Sequence, residues 1–289
     1  MKIINQLMFV FILLALLPFP AFAWNFMGHR IVGEIAYQHL NPHTKESVDE
    51  LIDYMSNAYP YSSSFQTANG WADYIKQDDI HIFDNWHFYD KPYTSDNTPV
   101  PQMVNSPNLI WALNQSISIL KSPKSNQYEK ALFLRFLIHF VGDAHQPLHC
   151  INRYTKNYPN GDQGGNLFLL ASNSQDTTIN LHASWDNGVG LFDKKCGFLR
   201  SKSNLKKAKC FAEKFQQDYP ENYFGEKINN LNPEDWIDEG YQLAINTVYN
   251  TPENSSLSNN YLQVNQSIAE QQTTLAGYRL ARLLNSIFS

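Results

Sequence analysis

The sequence predicts an all-α protein, a mainly α-helical single domain. Three observations carry that expectation. Seven segments place apolar residues at i, i+3 and i+4 spacing, alternating β-branched runs between them are few, and no repeat or linker composition divides the chain. The segments run over 28–40, 44–58, 65–78, 107–121, 127–146, 205–218 and 267–288. In the last, Ala269, Ala276, Leu280, Leu283 and Ile287 fall on one stripe, Glu270, Gln271, Arg282 and Asn285 lie off it, and Gln272 and Thr273 interrupt it near its start. Loops are expected over 90–108, which holds Pro92, Pro99, Pro101 and Pro107, over the Gly- and Asn-rich stretch 157–166, and over the Ser- and Asn-rich 251–260.

Composition bounds the function. With 43% hydrophobic, 14% aromatic and 17% charged residues, the 289-residue chain can bury a large core and is neither a disordered segment nor a coiled coil. Twenty-two basic against 27 acidic side chains leave a net charge of −5, which excludes a generally polybasic binder of nucleic acid or membranes. Any polyanion handled by this protein must meet positive charge that the composition does not show.

Residues 1–23 read as an export signal. Lys2 supplies the charged end, Leu7 to Leu17 form an apolar stretch of 11, and Pro18, Pro20 and Ala21-Phe22-Ala23 make a cleavage region of the small-x-small kind. Eleven apolar residues are too few to span a bilayer. Cleavage would start the mature domain, 24–289, at Trp24, and loss of Lys2 would take its charge to −6. A secreted or periplasmic product without a membrane anchor is expected, as a monomer. Cys150, Cys196 and Cys210 allow three pairings and always leave one thiol over; the short loop favours Cys196 with Cys210 without excluding the others. Sequons stand at Asn114, Asn254 and Asn265.

The strongest local signal is Ile138-His139-Phe140-Val141-Gly142-Asp143-Ala144-His145-Gln146-Pro147-Leu148-His149. On a helix, His139 and Asp143 stand one turn apart on one face, so an imidazole and a carboxylate can reach one metal. Pro147 should end that helix and can bring His149 back beside them. His182 and Asp186 repeat the four-residue interval. Trp71-Ala72-Asp73 and Trp86-His87-Phe88-Tyr89-Asp90 add a carboxylate and an imidazole, each close to a tryptophan, and His29 follows Trp24 by five residues. Nitrogen and carboxylate ligands without thiolates suit a working zinc site better than a structural one. His39, His43, His81 and His145 belong to no spaced set and read as structural.

An exported precursor cleaved before tryptophan, then Gly28-His29, Trp71-Ala72-Asp73, Trp86-His87-Phe88, His139-x3-Asp143-x5-His149, Gly164-Gly165-Asn166 and His182-x3-Asp186-Asn187, resembles the S1/P1 family of zinc-dependent nucleases. The motifs run in the family's order from residue 24 to 187. The resemblance implies a helical domain with three zinc ions that hydrolyses single-stranded DNA and RNA to 5′-phosphorylated products, and often the 3′-phosphate of nucleotides. Carried over by position, it implies one zinc on Asp73, His87, His139 and Asp143 and another on His149, His182 and Asp186. The third would take the α-amine and carbonyl of Trp24, His29 and the second oxygen of Asp143. Three dications against three carboxylates would leave the cluster at about +3, the local attraction for phosphate that composition lacks.

The same resemblance implies catalytic roles for Asp73, which would orient the attacking water, and Lys76, which would offset charge on the phosphoryl oxygens. It implies substrate contacts from Asn187 to the phosphate and from Phe88, Asp90 and Asn166 to the base. Stacking on Phe88 tolerates any base, which fits weak sequence preference and a need for unpaired strands. The family's second nucleotide site has no match here. A zinc phospholipase C acting on phosphatidylcholine is the nearest alternative, disfavoured by Asp186, where that family closes with His-x3-Glu, and by the short interval from Trp24 to His29. A protein using zinc only for stability is the alternative outside enzymes. Lys194, Lys195, Arg200, Lys202, Lys206, Lys207, Lys209 and Lys214 crowd one segment, which reads either as a solvated face or as a guide for a nucleic-acid backbone.

Overall fold

The computed structural model describes residues 24–103, 107–171, 179–197 and 203–289; the expected export signal, Arg200 and Lys202 lie outside the described residues. The architecture is all-α. Its principal helices are α1 (Phe26–Gln38), α2 (Pro42–Tyr54), α3 (Phe65–Ala68), α4 (Trp71–Gln77), α5 (Leu109–Lys121), α6 (Gln127–Asp143), α7 (Leu181–Asp186), α8 (Asn204–Asp218), α9 (Glu221–Phe224), α10 (Pro233–Leu243) and α11 (Asn259–Ile287). Strand is confined to two small pairs. β1 (Pro92–Thr94) runs parallel to β2 (Asn152–Tyr154) in the register Tyr93 opposite Arg153, and β3 (Leu169–Leu170) runs antiparallel to β4 (Ile179–Asn180).

Polar side chains fix the helix starts. Asn25 accepts from the Met27 and Gly28 amides at the head of α1, Asn41 caps α2, and Asn126 with Glu129 closes a capping box on α6. Ser258 caps α11, so that helix begins well before 267, inside the stretch expected to be loop. Thr273 and Thr274 do not break it. Each hydroxyl donates to the carbonyl four residues back, Ala269 and Glu270, at 2.7 Å, which hides the polar group inside the helix. The segment expected as one helix over 65–78 is instead two, with Asn69 and Gly70 between α3 and α4. Helices α7 and α9 are too short to show a periodic stripe; α10, outside the segments read from sequence, docks by Trp236, Ile237 and Tyr241, with Gly240 against Cys150.

Two apolar cores flank the centre of the molecule. Val32 and Ala36 of α1 face one, with Leu113 of α5, Leu137 of α6 and Leu280 of α11. Ile31 and Ile35 of the same helix face the other, with Trp24, Trp185, Phe192, Phe215 and Leu275. Helices α1 and α11 are therefore the shared wall. They meet at Gly277, where a Cβ would lie 2.6 Å from Ile35 Cβ and 3.2 Å from the Val32 carbonyl oxygen. Cys196 and Cys210 form the disulfide, tying the 191–197 turn to α8, while Cys150 is buried and reduced. Asn265 is also buried, its amide donating to the Tyr261 carbonyl, so that sequon is closed to a glycan. No helix among the described residues is long and apolar enough to cross a membrane.

Gly277→Ala should invert its usual sign. In an exposed helix the change stabilises by about 1 kcal/mol, but here the methyl group meets a neighbouring backbone, and a loss of about 2 kcal/mol is expected from overpacking. Urea denaturation midpoints check it.

Candidate metal centre

The site is assembled where helices start, stop or break. His139 and Asp143 occupy the last two turns of α6; Pro147 follows, and a 3₁₀ turn, Pro147–Cys150, carries His149 back toward them. Asp73 comes from α4, His87 from the 3₁₀ turn Asp84–His87, His182 and Asp186 from α7, and His29 from α1. Ligand atoms form three groups, each within 4.8 Å: His29 with Asp73 and His139, His87 with His139 and Asp143, and His149 with His182 and Asp186. All eight side chains are buried.

Backbone carbonyls orient the imidazoles. His139 Nδ1 donates to the Asn69 carbonyl at 2.7 Å, His149 Nδ1 to that of His87 at 2.6 Å, and His182 Nδ1 to that of Gly164 at 2.7 Å. Those bonds place the proton on Nδ1 and leave the Nε2 lone pair facing inward. His149 Nε2 and His182 Nε2 then face one another at 3.1 Å, and His139 Nε2 stands 3.2 Å from His87 Nδ1. The facing lone pairs of His149 and His182 repel at that distance unless a cation lies between them, whereas a shared proton can bridge His139 and His87. His29 stacks on His139 with ring centroids 3.9 Å apart; its Nε2 faces Asp143 Oδ1 at 3.3 Å without hydrogen-bond geometry, and His29 Nδ1, His87 Nε2 and Asp73 Oδ2 lack hydrogen-bond partners among the described residues. Gly142 makes this approach possible, since a Cβ there would lie 2.8 Å from His29 Nδ1. Unpartnered buried donors and acceptors are costly, and a bound cation satisfies them.

Protonation follows burial. Desolvation holds His29, His87 and His149 well below the usual histidine range, so these rings are neutral ligands at pH 7. Burial acts the same way on His139, but Asp143 and Asp73 override it and raise that ring. Desolvation pushes Asp143 up to about 6 and Asp186 well above the ordinary aspartate value. Lys76, 3.0 Å from Asp73 Oδ1 with a side chain only 7% exposed, brings a positive charge to the cluster.

The remaining expected residues flank this centre. Trp24 is buried, its ring edge-on to Phe192 at 5.7 Å, and the next residue, Asn25, ties α1 to α7 by donating its backbone amide to the Asp186 carbonyl at 2.8 Å. Phe88 and Asp90 follow His87 and are half-buried; desolvation, reinforced by Asp162, raises Asp90 to about 6. Asn166 donates its amide to the Gln163 carbonyl at 2.9 Å. Asn187 accepts from Asn25 at 2.8 Å and donates to Asp193. His145, read as structural, lies in the core between the Val141 carbonyl and the Arg279 guanidinium.

Three supports were not read from the sequence. Gln146 donates to Asp186 Oδ1 at 2.6 Å and accepts from the Leu148 amide. It sits inside the quoted histidine motif, but a glutamine has no ligand spacing to mark it. Asn69 is buried and supplies the carbonyl that orients His139. Asp162 accepts from the Arg153 and Gly165 amides and the Tyr249 hydroxyl, and pairs with the Arg153 guanidinium at 3.2 Å. It thereby fixes the glycine loop whose Gly164 carbonyl holds His182. Its only sequence signal is its place in that loop.

The fold and site thus define a helical protein whose buried imidazoles and carboxylates form groups that could hold metal ions. The S1/P1 Nuclease family matches residues 24–289, and the chain belongs to that family. It is similar to Nuclease S1 of Aspergillus oryzae, 25% identical over 292 residues that cover 93% of each chain. It is likewise similar to Endonuclease 4 of Arabidopsis thaliana, 26% identical over 289 residues, 93% of this chain and 90% of that one. Nuclease P1 of Penicillium citrinum aligns over 174 residues at 26% identity, 56% of this chain and 57% of that protein.

Asp143 gives a prediction with two signs. Its folded pKa of about 6 exceeds the ordinary 3.8, so in metal-free protein this group contributes stability at low pH that is lost as pH rises through 6. In chelator at pH 8, Asp143→Asn should therefore stabilise the fold, by on the order of 2–3 kcal/mol, while zinc binding by the same variant collapses. Denaturation from pH 4 to 8 with and without zinc checks both.

Proposed function

We propose that the chain is an exported, zinc-dependent phosphodiesterase that cleaves single-stranded DNA and RNA to 5′-phosphorylated products and removes 3′-phosphates from nucleotides. The observation that carries the reading is the convergence of inward-facing imidazole nitrogens with three buried aspartates, in a chain of the S1/P1 nuclease family. The relatives' printed names, nuclease and endonuclease, support the reaction class. The His149 group supports one zinc by itself; the other two groups share His139, and with His29 Nε2 3.3 Å from Asp143 Oδ1 they support two more. The first zinc is assigned to Asp73, His87, His139 and Asp143, the second to His149, His182 and Asp186, and the third to His29, Asp143 and the Trp24 terminus.

Bound zinc supplies Lewis acidity toward phosphoryl oxygens and positive charge against the departing 3′ oxygen. Asp73 accepts a hydrogen bond from the attacking water and aligns it. Lys76, held at 3.0 Å from Asp73, keeps its charge beside the cleft and counters the charge that develops on phosphorus-bound oxygens. Phe88 offers a half-exposed ring to a base, and Asp90, raised to about 6, has a carboxyl that can present either a donor or an acceptor to the base edge near neutral pH. Asn166 meets the same base, and Asn187, anchored by Asn25 and Asp193, turns toward the phosphate. Residues 1–23 are assigned to the export signal and 24–289 to the nuclease domain of a secreted or periplasmic monomer. Removal of the signal frees the Trp24 amine, so export and activation become one event.

Elemental analysis of purified mature protein should find three zinc ions per chain. Chelation should abolish hydrolysis of single-stranded DNA, and phosphatidylcholine should not be cleaved; full activity after chelation rejects the proposal. One extra residue before Trp24 should remove one zinc and lower activity at least tenfold, whereas three zincs and full activity would discard the terminal-amine ligand.

A further inference from the structure

Outside the metal centre, the 191–197 turn, α8 and the first half of α11 enclose a groove of about 710 Å³, within the roughly 300–1,000 Å³ range of ligand clefts. Its floor is apolar: Leu191, Phe211 and Phe215 are buried. Lys194, Lys195 and Lys214 stand on its rim and are exposed. Three lysines line the groove against one carboxylate, Glu270; Lys195 and Lys194, the latter donating to Gln266 Oε1 at 2.6 Å, keep their charge apart from any carboxylate among the described residues, while Lys214 also pairs with Asp218. The carboxylate lining the groove, Glu270, is buried and bonded to Lys214 Nζ at 3.2 Å.

The turn that walls the groove follows the metal centre directly in the chain. Asp186, a ligand of the His149 group, is followed by Asn187, whose amide donates to Asp193, the residue before Lys194. Phe192 packs on Trp24 from the same turn, and Lys207 Nζ of α8 donates to the Phe192 carbonyl at 2.7 Å. The Cys196–Cys210 disulfide holds the turn against α8.

We propose that this groove is a docking site for the flanking strand of a single-stranded nucleic acid whose scissile phosphate lies at the metal centre. The proposal rests on the nuclease reading above and adds a place where the rest of the strand binds. Charge complementarity selects the occupant. A second copy of this acidic chain brings the charge that the rim lysines attract only in patches, whereas a polynucleotide brings it at every residue. Half-buried Leu262 offers the strand apolar surface above that floor, and the amides of Gln263 and Gln266 line the groove beside it.

The test uses metal-replete enzyme carrying Lys194→Gln and Lys195→Gln, two exposed positions whose loss spares the core. On a 20-nucleotide single strand, KM should rise about tenfold at 0.1 M salt with kcat unchanged, and the salt slope of log(kcat/KM) should flatten by about 1.4, near 0.7 for each lost phosphate contact. Hydrolysis of a dinucleotide, which carries no flanking strand, should not change. A labelled, hydrolysis-resistant phosphorothioate oligothymidylate should bind the metal-replete enzyme and bind the variant correspondingly less. Equal effects on dinucleotide and 20-mer, an unchanged salt slope, or a change of oligomeric state in place of strand affinity would each overturn the proposal. Failure of the unaltered enzyme on every nucleic acid would instead remove the nuclease reading, so the two failures are distinguishable.

Discussion

Lone pairs and carboxylates gathered in the interior without enough protons to separate them are the constraint on which the rest of the structure depends. Asp73, Asp143 and Asp186 are buried together with His29, His87, His139, His149 and His182, and desolvation keeps at least three of those rings neutral. In a low-dielectric interior such a collection opposes folding. Lys76 offsets part of it. Divalent cations would offset the remainder, which would make the metal a structural requirement of the same residues that would use it chemically.

Helical architecture meets this constraint at its interruptions. Inside a helix each carbonyl is occupied by the amide four residues on, so an imidazole seeking an orienting acceptor must find one where a helix has broken. The three acceptors observed obey that rule. Asn69 lies between α3 and α4, His87 closes a 3₁₀ turn, and Gly164 sits in the loop clamped by Asp162. The gap at Asn69 and Gly70, which divides a segment that periodicity makes continuous, is therefore part of how His139 is aimed. Gly142 serves the same end from α6 by admitting the His29 ring.

This explains what was legible beforehand. Pairs such as His139 with Asp143 and His182 with Asp186 are readable because one helical turn links both members, and Pro147 announces the return of His149. The long apolar stripes of α1, α5 and α6 were readable for the same local reason. Gln146, Asn69 and Asp162 act through contacts with residues up to 87 positions away, and no local pattern marks such a distant partner. The polar run at Gln272, Thr273 and Thr274 misleads in the opposite direction, since two threonine hydroxyls turn back onto their own helix and let α11 pass unbroken.

A protein of net negative charge that acts on a polyanion must separate its long-range field from its local one. At physiological ionic strength the field decays over about 8 Å, so acidic groups on remote helices weigh little against cations a few ångströms from the substrate. Two such sources occur at different depths. The metal ligands would gather positive charge at the bottom of the cleft, and the lysines of the 191–197 turn and α8 hold it at the surface, on a scaffold stapled by Cys196–Cys210. Buried charge is scarcely screened and would decide where a scissile phosphate sits; exposed lysines are screened and would govern how readily a strand arrives and stays. Overall composition averages the two away, which is why an acidic chain can still be built around anionic ligands.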